Sequence, residues 1–333
     1  MRAWALDKPG PAAAHPLRLV ERELPEPRAG QLTARLLACG VCRTDLHLAE
    51  GDLPPRRGGV VPGHEVVAEV IALGPACRRF SLGDRVGVPW LASTCGRCHF
   101  CLTGKENLCE TATFTGWDRD GGYAEAIVAN EEYLYSLPDS LGDEKAAPLL
   151  CAGIIGYRAL RRANLPAGGE LGLFGFGGSA HLALQVAVAE GASVHVFTRS
   201  EPARQLALSL GAKSAQGPFD RSPVDLDSVV VFAPSGDVVP ASLGALARGG
   251  RAVLAGIHMS DLAPLSYERH LFGEKELTSV TANTRSDGRE FLELAGRIGI
   301  EVTTTPYAFE QAGEALADLA RGKVRGAGVL LFD

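Results

Sequence analysis

The chain has 333 residues, with 33 Lys or Arg against 39 Asp or Glu, which gives a formal net charge of −6. At 46% hydrophobic and 22% charged residues, its composition is that of an ordinary globular protein of about two domains. An acidic balance without a basic patch argues against a nucleic-acid partner, and no apolar run approaches the roughly 20 residues of a membrane span. The first residues lack the apolar segment of a secretory signal, so we expect a cytoplasmic protein with no membrane partner.

Residues 1–135 predict a β-rich domain with long loops. Apolar and polar residues alternate over short runs such as 17–21 and 65–71, and glycines and prolines separate these runs. Alternation with a period of two is typical of half-buried strands. From residue 143 to residue 163 the spacing of apolar residues becomes helical.

Four of the eight cysteines fall within one short segment of this domain. They are Cys95, Cys98, Cys101 and Cys109. In a chain without a secretory signal such a cluster indicates metal binding rather than disulfides, and four thiolates complete the tetrahedral shell of a zinc ion. Ferredoxins also begin C-x2-C-x2-C but continue x3-C-P, whereas here the last gap is seven residues and Glu110 follows. The remaining alternative is four ordinary buried cysteines. With no coordination position left open, we predict a structural zinc.

After residue 168 the sequence predicts strands that alternate with helices. The predicted strands are Leu171–Phe174, Val194–Thr198, Val229–Phe232 and Ala252–Gly256, and the predicted helices are 178–190, 201–210 and 237–248. Such alternation is typical of right-handed βαβ units and a doubly wound parallel sheet. Near its end the chain predicts a helix at Glu310–Arg321 and a strand at Gly328–Phe332.

The first of these strands runs into a G-x-G-x-x-A turn. The turn consists of Gly175, Phe176, Gly177, Gly178, Ser179 and Ala180. Gly175 permits the tight turn, Gly177 lets a pyrophosphate approach the backbone, and Ala180 is small enough for close packing of helix on strand. The pyrophosphate would lie at the helix N-terminus, by Gly178 and Ser179. The alternative is a glycine-rich loop that serves packing only.

The second strand of this domain ends in Thr198, Arg199 and Ser200. Enzymes that use NAD place an acidic residue there, which accepts hydrogen bonds from the ribose hydroxyls. A hydroxyl and a guanidinium instead suit a 2′-phosphate, which arginine can bind through two hydrogen bonds. We therefore favour NADP(H), with NAD(H) as the alternative if Arg199 is only a surface charge.

Three further segments complete a pattern that resembles the zinc-dependent medium-chain alcohol dehydrogenases. They are Gly40–His47, Pro62–Glu65 and Pro148–Gly153. With the cysteine loop and the glycine turn, they cover essentially the whole chain in the order and spacing of that family. Within the family the chain most resembles the bacterial, cinnamyl-alcohol-dehydrogenase-like branch. The resemblance implies an enzyme that transfers hydride between a primary or aryl alcohol, or the corresponding aldehyde, and a nicotinamide cofactor.

The resemblance also implies a second zinc ion, so that each chain holds two. Its ligands would be Cys42, His64 and Cys151, and the fourth position would stay open for water or a substrate oxygen. Asp45 would orient the histidine ligand. Glu65 lies next to this site and could be a transient ligand, with a structural ion pair as the alternative.

By the same resemblance, four residues assist the reaction or bind the cofactor. Thr44 would pass the alcohol proton to the cofactor ribose, and His47 would release it to solvent, since an imidazole exchanges protons near neutral pH. Arg43 and Arg325 would contact the pyrophosphate, although Arg325 could instead be a surface charge.

Two tryptophans are candidates for the substrate pocket. Trp90 matches a position that lines the pocket in the family, and Trp117 is a second candidate. Together they would favour aryl or medium-length alkyl substrates, while ordinary core packing is the alternative. Ile155 replaces a threonine that many members have, so a nicotinamide contact there would be apolar.

The implied fold is of the α/β class and has two domains. A GroES-like β-rich catalytic domain would comprise 1–152 and 287–333, and a Rossmann dinucleotide-binding domain 153–286, with the active site in the cleft between them. Members of the family are homodimers or homotetramers, and Leu277–Thr281 could pair across a two-fold axis. The second ligand set argues against a non-catalytic zinc protein and against a zinc-free quinone or enoyl reductase. The complete cysteine loop argues against a polyol dehydrogenase.

Overall fold

The computed structural model describes residues 1–332. Its strands are β1 Arg2–Leu6, β2 Leu17–Glu21, β3 Gln31–Val41, β4 Val66–Leu73, β5 Arg85–Val88, β6 Leu91–Ser93, β7 Thr113–Phe114, β8 Ala126–Asn130, β9 Tyr135–Ser136, β10 Glu170–Phe174, β11 Ser193–Phe197, β12 Ser214–Gln216, β13 Leu226–Val231, β14 Leu246–Leu254, β15 Glu276–Ser279, β16 Thr304–Ala308 and β17 Ala327–Leu331. Its helices are α1 Arg43–Glu50, α2 His99–Leu102, α3 Asp143–Ala146, α4 Ala152–Ala163, α5 Gly178–Ala189, α6 Glu201–Ser209, α7 Val238–Gly244, α8 Tyr267–His270, α9 Arg285–Ile298 and α10 Ala312–Ala320.

The chain forms two compact units. The first comprises Met1–Cys151, Ala282–Gly296 and the residues from Val302 onwards, and the second comprises Ala152–Thr281 and Arg297–Glu301. The domain boundaries given above stay a prediction. Within residues 1–332, no helix combines the length and the apolarity needed to cross a membrane.

The first unit is built on a seven-stranded sheet in the order β16-β17-β3-β4-β5-β9, with β8 also paired to β3. Only β16 and β17 pair in parallel; the other neighbours are antiparallel. The long strand β3 is buried along most of its length, because it has neighbours on both edges and carries core residues such as Leu32 and Leu36. Its last residue, Val41, leads directly into the candidate metal site.

The second unit contains six parallel strands in the order β12-β11-β10-β13-β14-β15. This is the doubly wound order in which ligands bind at the carboxyl ends of the strands, and the prediction of a parallel Rossmann-type sheet is confirmed. Phe174 and Phe197 end neighbouring strands and stack with their ring centroids 4.2 Å apart. The neighbouring strands β10 and β11 therefore end at the same edge of the sheet, and the glycine turn follows β10 at that edge.

One predicted element is wrong in part. The helix expected at 237–248 ends at Gly244, and β14 begins at Leu246, six residues before the predicted start at Ala252. The start of β14 carries exposed polar and glycine residues, and Gly249 has φ +75°. Its apolar alternation is therefore too weak to indicate a strand from sequence. The three-residue strand β12 and the helix α9 were not predicted.

Candidate functional site

Cys42 lies at the junction of β3 and α1 and caps the helix. The Thr44 N–H donates to its Sγ at 3.4 Å, and the Cys42 N–H donates to Asp45 Oδ2 at 3.0 Å. This reciprocal capping box fixes the sulfur at the positive end of the α1 dipole. A helix N-terminus favours the thiolate form of a cysteine, which is the form that binds metal.

His64 is positioned by the glycine before it and by one buried carboxylate. Gly63 has φ +98°, and a Cβ there would lie 2.5 Å from the Tyr123 ring and 2.9 Å from Cys39 Sγ, so the backbone needs glycine. Asp45 Oδ1 accepts from the Gly63 N–H at 2.9 Å and from His64 Nδ1 at 3.1 Å. Because a carboxylate can only accept, the ring proton is assigned to Nδ1, and Nε2 keeps its lone pair for a metal.

The structure brings the predicted ligands of the second zinc together. One ligand atom from each of Cys42, His64, Glu65 and Cys151 lies within 4.8 Å of all the others. His64 is 1% exposed, and its Nε2 is buried with no hydrogen-bond partner among residues 1–332. Two sulfurs, an orphaned imidazole nitrogen and a carboxylate are a donor set that suits zinc. These residues fit a metal ion.

Glu65 reaches this cluster because Gly40 has no side chain. A Cβ at position 40 would lie 1.8 Å from Glu65 Oε2. The backbone of the two residues is also joined, since the Gly40 N–H donates to the Glu65 carbonyl at 2.9 Å. The carboxylate is therefore held beside the two sulfurs, and its role as a transient ligand stays a prediction.

The two sulfurs of this cluster have opposite tendencies to ionise. A hydrogen bond from Cys151 lowers the pKa of Cys42 well below its usual value, against the effect of burial and with help from His64. The same hydrogen bond, together with burial, raises the pKa of Cys151. The protein alone thus favours ionisation of Cys42 over that of Cys151. Metal ligation needs both sulfurs as thiolates, and a cation supplies the missing positive charge.

The four sulfurs of the predicted cysteine loop also meet. Their Sγ atoms lie within 4.8 Å of one another. The Cys98 N–H donates to Cys95 Sγ at 3.3 Å, and the Cys95 N–H donates to Cys109 Sγ at 3.4 Å. These bonds from backbone amides favour ionised sulfur, and the pKa of Cys109 is lowered to about 6, against the effect of burial. With four sulfur donors, the loop fits a closed zinc site.

In the second unit, the two glycines of the turn have different roles. Gly175 has φ +89°, and a Cβ there would lie 2.7 Å from the Ala233 amide nitrogen, so the turn itself requires glycine. Gly177 has an extended backbone, and a Cβ there would meet no atom within 4 Å. The fold does not need glycine at position 177, whereas a pyrophosphate bound close to the backbone would need it. Gly178 and Ser179 begin α5, and Ala180 is buried against the sheet.

The three residues after β11 differ in how accessible they are. Thr198 is 8% exposed, and its N–H donates to the Gln216 carbonyl at 2.8 Å. Ser200 caps α6, since its Oγ accepts from the Ala203 N–H at 3.4 Å. Arg199 is exposed, and no residue from 1 to 332 binds its guanidinium. Arg199 is therefore the member of this set that is free to bind an anion.

Comparison with known proteins agrees with both units. Residues 28–139 match the model of the alcohol dehydrogenase GroES-like domain, and residues 178–297 match that of the zinc-binding dehydrogenases. The probable alcohol dehydrogenase AdhA of Mycobacterium tuberculosis is 53% identical over 100% of this chain and 97% of its own. The chain belongs to the zinc-dependent medium-chain alcohol dehydrogenase family.

Solved structures of this family show the same fold. A cinnamyl alcohol dehydrogenase of Sorghum bicolor has a TM-score of 0.89 at 29% identity and covers 99% of this chain and 96% of its own. A Helicobacter pylori cinnamyl alcohol dehydrogenase complexed with NADP(H) has a TM-score of 0.88 at 26% identity, with 99% and 98% covered. The predictions of the family, the fold and an NAD(P)-dependent alcohol dehydrogenase are confirmed. This alcohol dehydrogenase acts on small-molecule alcohols or aldehydes and uses zinc and a nicotinamide cofactor.

The predicted proton path of the alcohol dehydrogenase begins beside Cys42. Thr44 is 6% exposed, and its Oγ1 lies 3.6 Å from Cys42 Sγ. His47 lies three residues further along α1 and therefore on the same face of the helix. Its side chain is 15% exposed, and Nδ1 lies 3.0 Å from Asp52 Oδ2. Thr44 is thus buried beside Cys42 Sγ, and His47 is partly exposed to solvent.

The two arginines predicted to contact the pyrophosphate lie at different places in the first unit. Arg43 is the first residue of α1, and Arg325 precedes β17. Both are exposed, and neither guanidinium has an ion-pair partner within the described part of the chain, 1–332. Their contact with a cofactor stays a prediction.

Three partly exposed aromatic rings form a cluster, one member of which, Trp90, lies near His64. The Trp90 ring is centred 6.3 Å from the His64 ring, 4.2 Å from that of Phe114 and 6.3 Å from that of Trp117, to which it is nearly parallel at 16°. Trp90 Nε1 is buried without a partner among residues 1–332. Both predicted tryptophans are therefore brought together. Phe114 was missed, although an aromatic residue three positions before Trp117 is a signal that sequence reasoning could have used.

Proposed function

We propose that the enzyme is an NADP(H)-preferring dehydrogenase of aryl and other primary alcohols, and a reductase of their aldehydes, whose catalytic zinc is held by Cys42, His64 and Cys151. The observation that carries the proposal is the orphaned Nε2 of His64, buried among sulfur donors while Asp45 fixes the opposite nitrogen. A buried histidine nitrogen without a partner costs free energy. A metal ion that is ligated by this nitrogen removes that cost.

The residues of the first unit then have distinct tasks. A zinc ion held by Cys42, His64 and Cys151 would supply Lewis acidity at the alcohol or aldehyde oxygen, and a bound nicotinamide cofactor would supply the hydride chemistry. Thr44 holds the alcohol proton at Oγ1 in a buried position and passes it towards the cofactor ribose. His47 exchanges that proton with solvent. Trp90 and Trp117 offer apolar surface to the organic part of the substrate.

The cysteine loop is proposed to hold the second, structural zinc. Cys95, Cys98, Cys101 and Cys109 supply four sulfurs, and a four-coordinate zinc bound by them has no position left for substrate. We also propose a cytoplasmic location. Its support is that none of the eight cysteines forms a disulfide in the structure, as expected in a reducing compartment.

The preference for NADP(H) is proposed from the end of β11. Arg199 is exposed and unpaired, and no carboxylate stands there to repel a 2′-phosphate. The similar Helicobacter pylori enzyme was solved with NADP(H). Charge-assisted hydrogen bonds contribute about 1.5–3 kcal/mol each, and every 1.4 kcal/mol is about tenfold in affinity. We therefore expect a ten- to hundredfold preference, which salt weakens because the arginine is exposed.

The test is kcat/KM for NADP+ and NAD+ in the parent enzyme and in the double variant Thr198→Asp/Arg199→Ala. The double variant should reverse the preference. Arg221→Ala, which removes another exposed arginine of the same unit, is the matched control and should leave it unchanged. A parent that favours NAD+ by tenfold or more rules out this role for Arg199.

The enzyme is further proposed to be a homodimer or homotetramer that associates through β15. This strand is at the edge of the six-stranded sheet, and an unpaired edge offers backbone hydrogen bonds to a second chain. The segment before it exposes Tyr267 and Phe272, each at 68%. Sedimentation should give two or four times the chain mass of 35.0 kDa. A 35.0 kDa species at micromolar concentration contradicts this proposal.

A further inference from the structure

We propose that Arg56 is a positioning residue that holds the Trp117 indole in place, so that this ring forms the outer wall for the aromatic ring of an aryl alcohol or aldehyde. The inference rests on the proposed function, since it assigns the distal end of the same substrate site. No residue of the loop at 52–59 was predicted to affect substrate choice.

Arg56 lies directly over the face of Trp117. The guanidinium carbon is 3.8 Å from the centroid of the indole ring, within the range of a cation–π contact. The Trp117 Nε1–H donates to the Pro54 carbonyl at 2.9 Å, which fixes the rotation of the same ring from the same loop. Two contacts of different kind, one to the face and one to the edge, thus set the plane of the indole.

Asp118 joins this clamp to the rest of the aromatic cluster. One of its oxygens accepts from Arg56 Nη1 at 2.7 Å, and the other accepts from the Phe114 N–H at 2.8 Å. Its side chain is only 13% exposed, against 50% for Arg56. The carboxylate therefore ties the arginine to the turn that carries Phe114 and Trp117, so that the guanidinium cannot leave the ring without losing an ion pair.

The clamped ring is the outermost of a series that begins at the metal site. From His64 the series runs to Trp90 and then to Trp117, with 6.3 Å between successive centroids. The three rings of the aromatic cluster, Trp90, Phe114 and Trp117, are all partly exposed. A short alcohol bound at the metal would not extend to the third ring, whereas an aryl substrate with a three-carbon arm would. Arg56 should therefore affect long aryl substrates selectively.

The test compares Arg56→Ala with the parent on cinnamyl alcohol and on ethanol. We expect KM for cinnamyl alcohol to rise roughly two- to fivefold, the size of an exposed cation–π contact, with kcat and the ethanol constants nearly unchanged. Arg56→Lys, which keeps a cation over the ring, should keep KM for cinnamyl alcohol close to the parent value. Arg57→Ala is the matched control, because Arg57 pairs with Asp120 and is similarly exposed at 41%. It should change neither substrate.

Tryptophan fluorescence provides a readout that does not depend on activity. Arg56→Ala should change the emission of the full enzyme, and that change should vanish when Trp117→Leu, which removes the aromatic ring, is the background. In that background Arg56→Ala should also leave KM for cinnamyl alcohol unaltered. Equal losses on both substrates, the same loss in Arg57→Ala, or the same fluorescence change without Trp117 would overturn the inference. An enzyme that oxidises neither alcohol refutes the proposed function instead, and the fluorescence arm still decides whether Arg56 holds Trp117.

Discussion

Asp45 shows how one buried side chain can organise several others. It is 1% exposed and accepts from the backbone of Cys42 and Gly63 as well as from His64 Nδ1. The same carboxylate thus starts α1, fixes the turn before the histidine and sets the ring tautomer. An amide cannot replace it fully, because one of its two polar atoms would be a donor that faces donors.

We expect Asp45→Asn to weaken zinc binding at the catalytic site by about 10- to 100-fold, the usual cost of losing a carboxylate behind a histidine ligand. Competition with a chelator of known affinity measures the change. Asp52→Asn is a suitable control, since Asp52 follows the same helix but is 49% exposed and contacts His47 rather than a ligand. Equal zinc affinity in the parent and Asp45→Asn would contradict the role of Asp45.

His47 gives a second prediction for a single residue. If it passes the alcohol proton to solvent, His47→Gln should slow alcohol oxidation most near neutral pH, while hydroxide partly restores the rate at higher pH. Cofactor affinity should change little. The measurement is the pH profile of kcat for parent and variant, and profiles of identical shape would remove His47 from the path.

Some residues of the metal site could be predicted from sequence and others could not. Cysteine and histidine spacing carries the ligand chemistry, so Cys42, His64 and Cys151 follow from their motifs once the family resemblance is seen. The reasons for glycine at positions 40 and 63 could not be predicted. They depend on the close approach of Glu65 and Tyr123 across the fold, which no local pattern encodes.

At the scale of elements, the cysteine loop is attached to the start of α9. Glu106 accepts from the Arg285 N–H at 3.0 Å and from its Nε at 3.3 Å, and the Arg285 guanidinium lies over the Tyr133 ring. These contacts join two segments far apart in sequence, and the Glu106 side chain is only 7% exposed. The anchor explains how a loop with few apolar residues keeps a fixed place.

This anchor predicts a pH dependence of stability. Although burial acts to raise the pKa of Glu106, hydrogen bonds from Arg285 and from its own backbone amide outweigh it and lower the pKa below the ordinary value of 4.5. The carboxylate therefore stabilises the fold above pH 4.5, and this contribution is lost as the pH falls through the lower folded value. Glu106→Gln should lower the free energy of unfolding by about 1 kcal/mol at neutral pH.

The difference between parent and Glu106→Gln should shrink at acidic pH, which denaturant titrations at several pH values would show. Glu132→Gln is the control, because Glu132 lies 3.7 Å from Arg285 but is 59% exposed, and a pair that exposed contributes little. A difference that stays constant down to the lowest pH would mean that the charge of Glu106 is unimportant.

Elements with a clear apolar pattern were predicted well, and elements with an interrupted apolar pattern were not. The strands around β10 and β11 were found to within about a residue, because both faces of a parallel strand are buried and its apolar run is continuous. The start of β14 was assigned to a helix because Arg248, Gly249 and Gly250 interrupt its pattern. There the pairing of Leu226 with Leu246, not local propensity, determines where the strand begins.

For the whole molecule, the order of chemical motifs along the chain predicted the fold class better than composition did. The cysteine loop and the glycine turn each imply a local structure, and their order together indicates a β-rich unit followed by a parallel sheet. Trp117 shows the limit of such reasoning, since its clamp by Arg56 joins loops that are 61 positions apart in the sequence.

The central claim is that each chain has two zinc sites, of which the one at Cys42, His64 and Cys151 supports turnover. The most direct test is metal analysis of the purified parent and of His64→Ala, with alcohol oxidation assayed on the same samples. We expect two zinc ions per chain in the parent and one in an inactive but folded His64→Ala variant. The closed cysteine loop should retain that remaining ion under a mild chelator. One zinc ion per chain in the active parent, or two in His64→Ala, would contradict it.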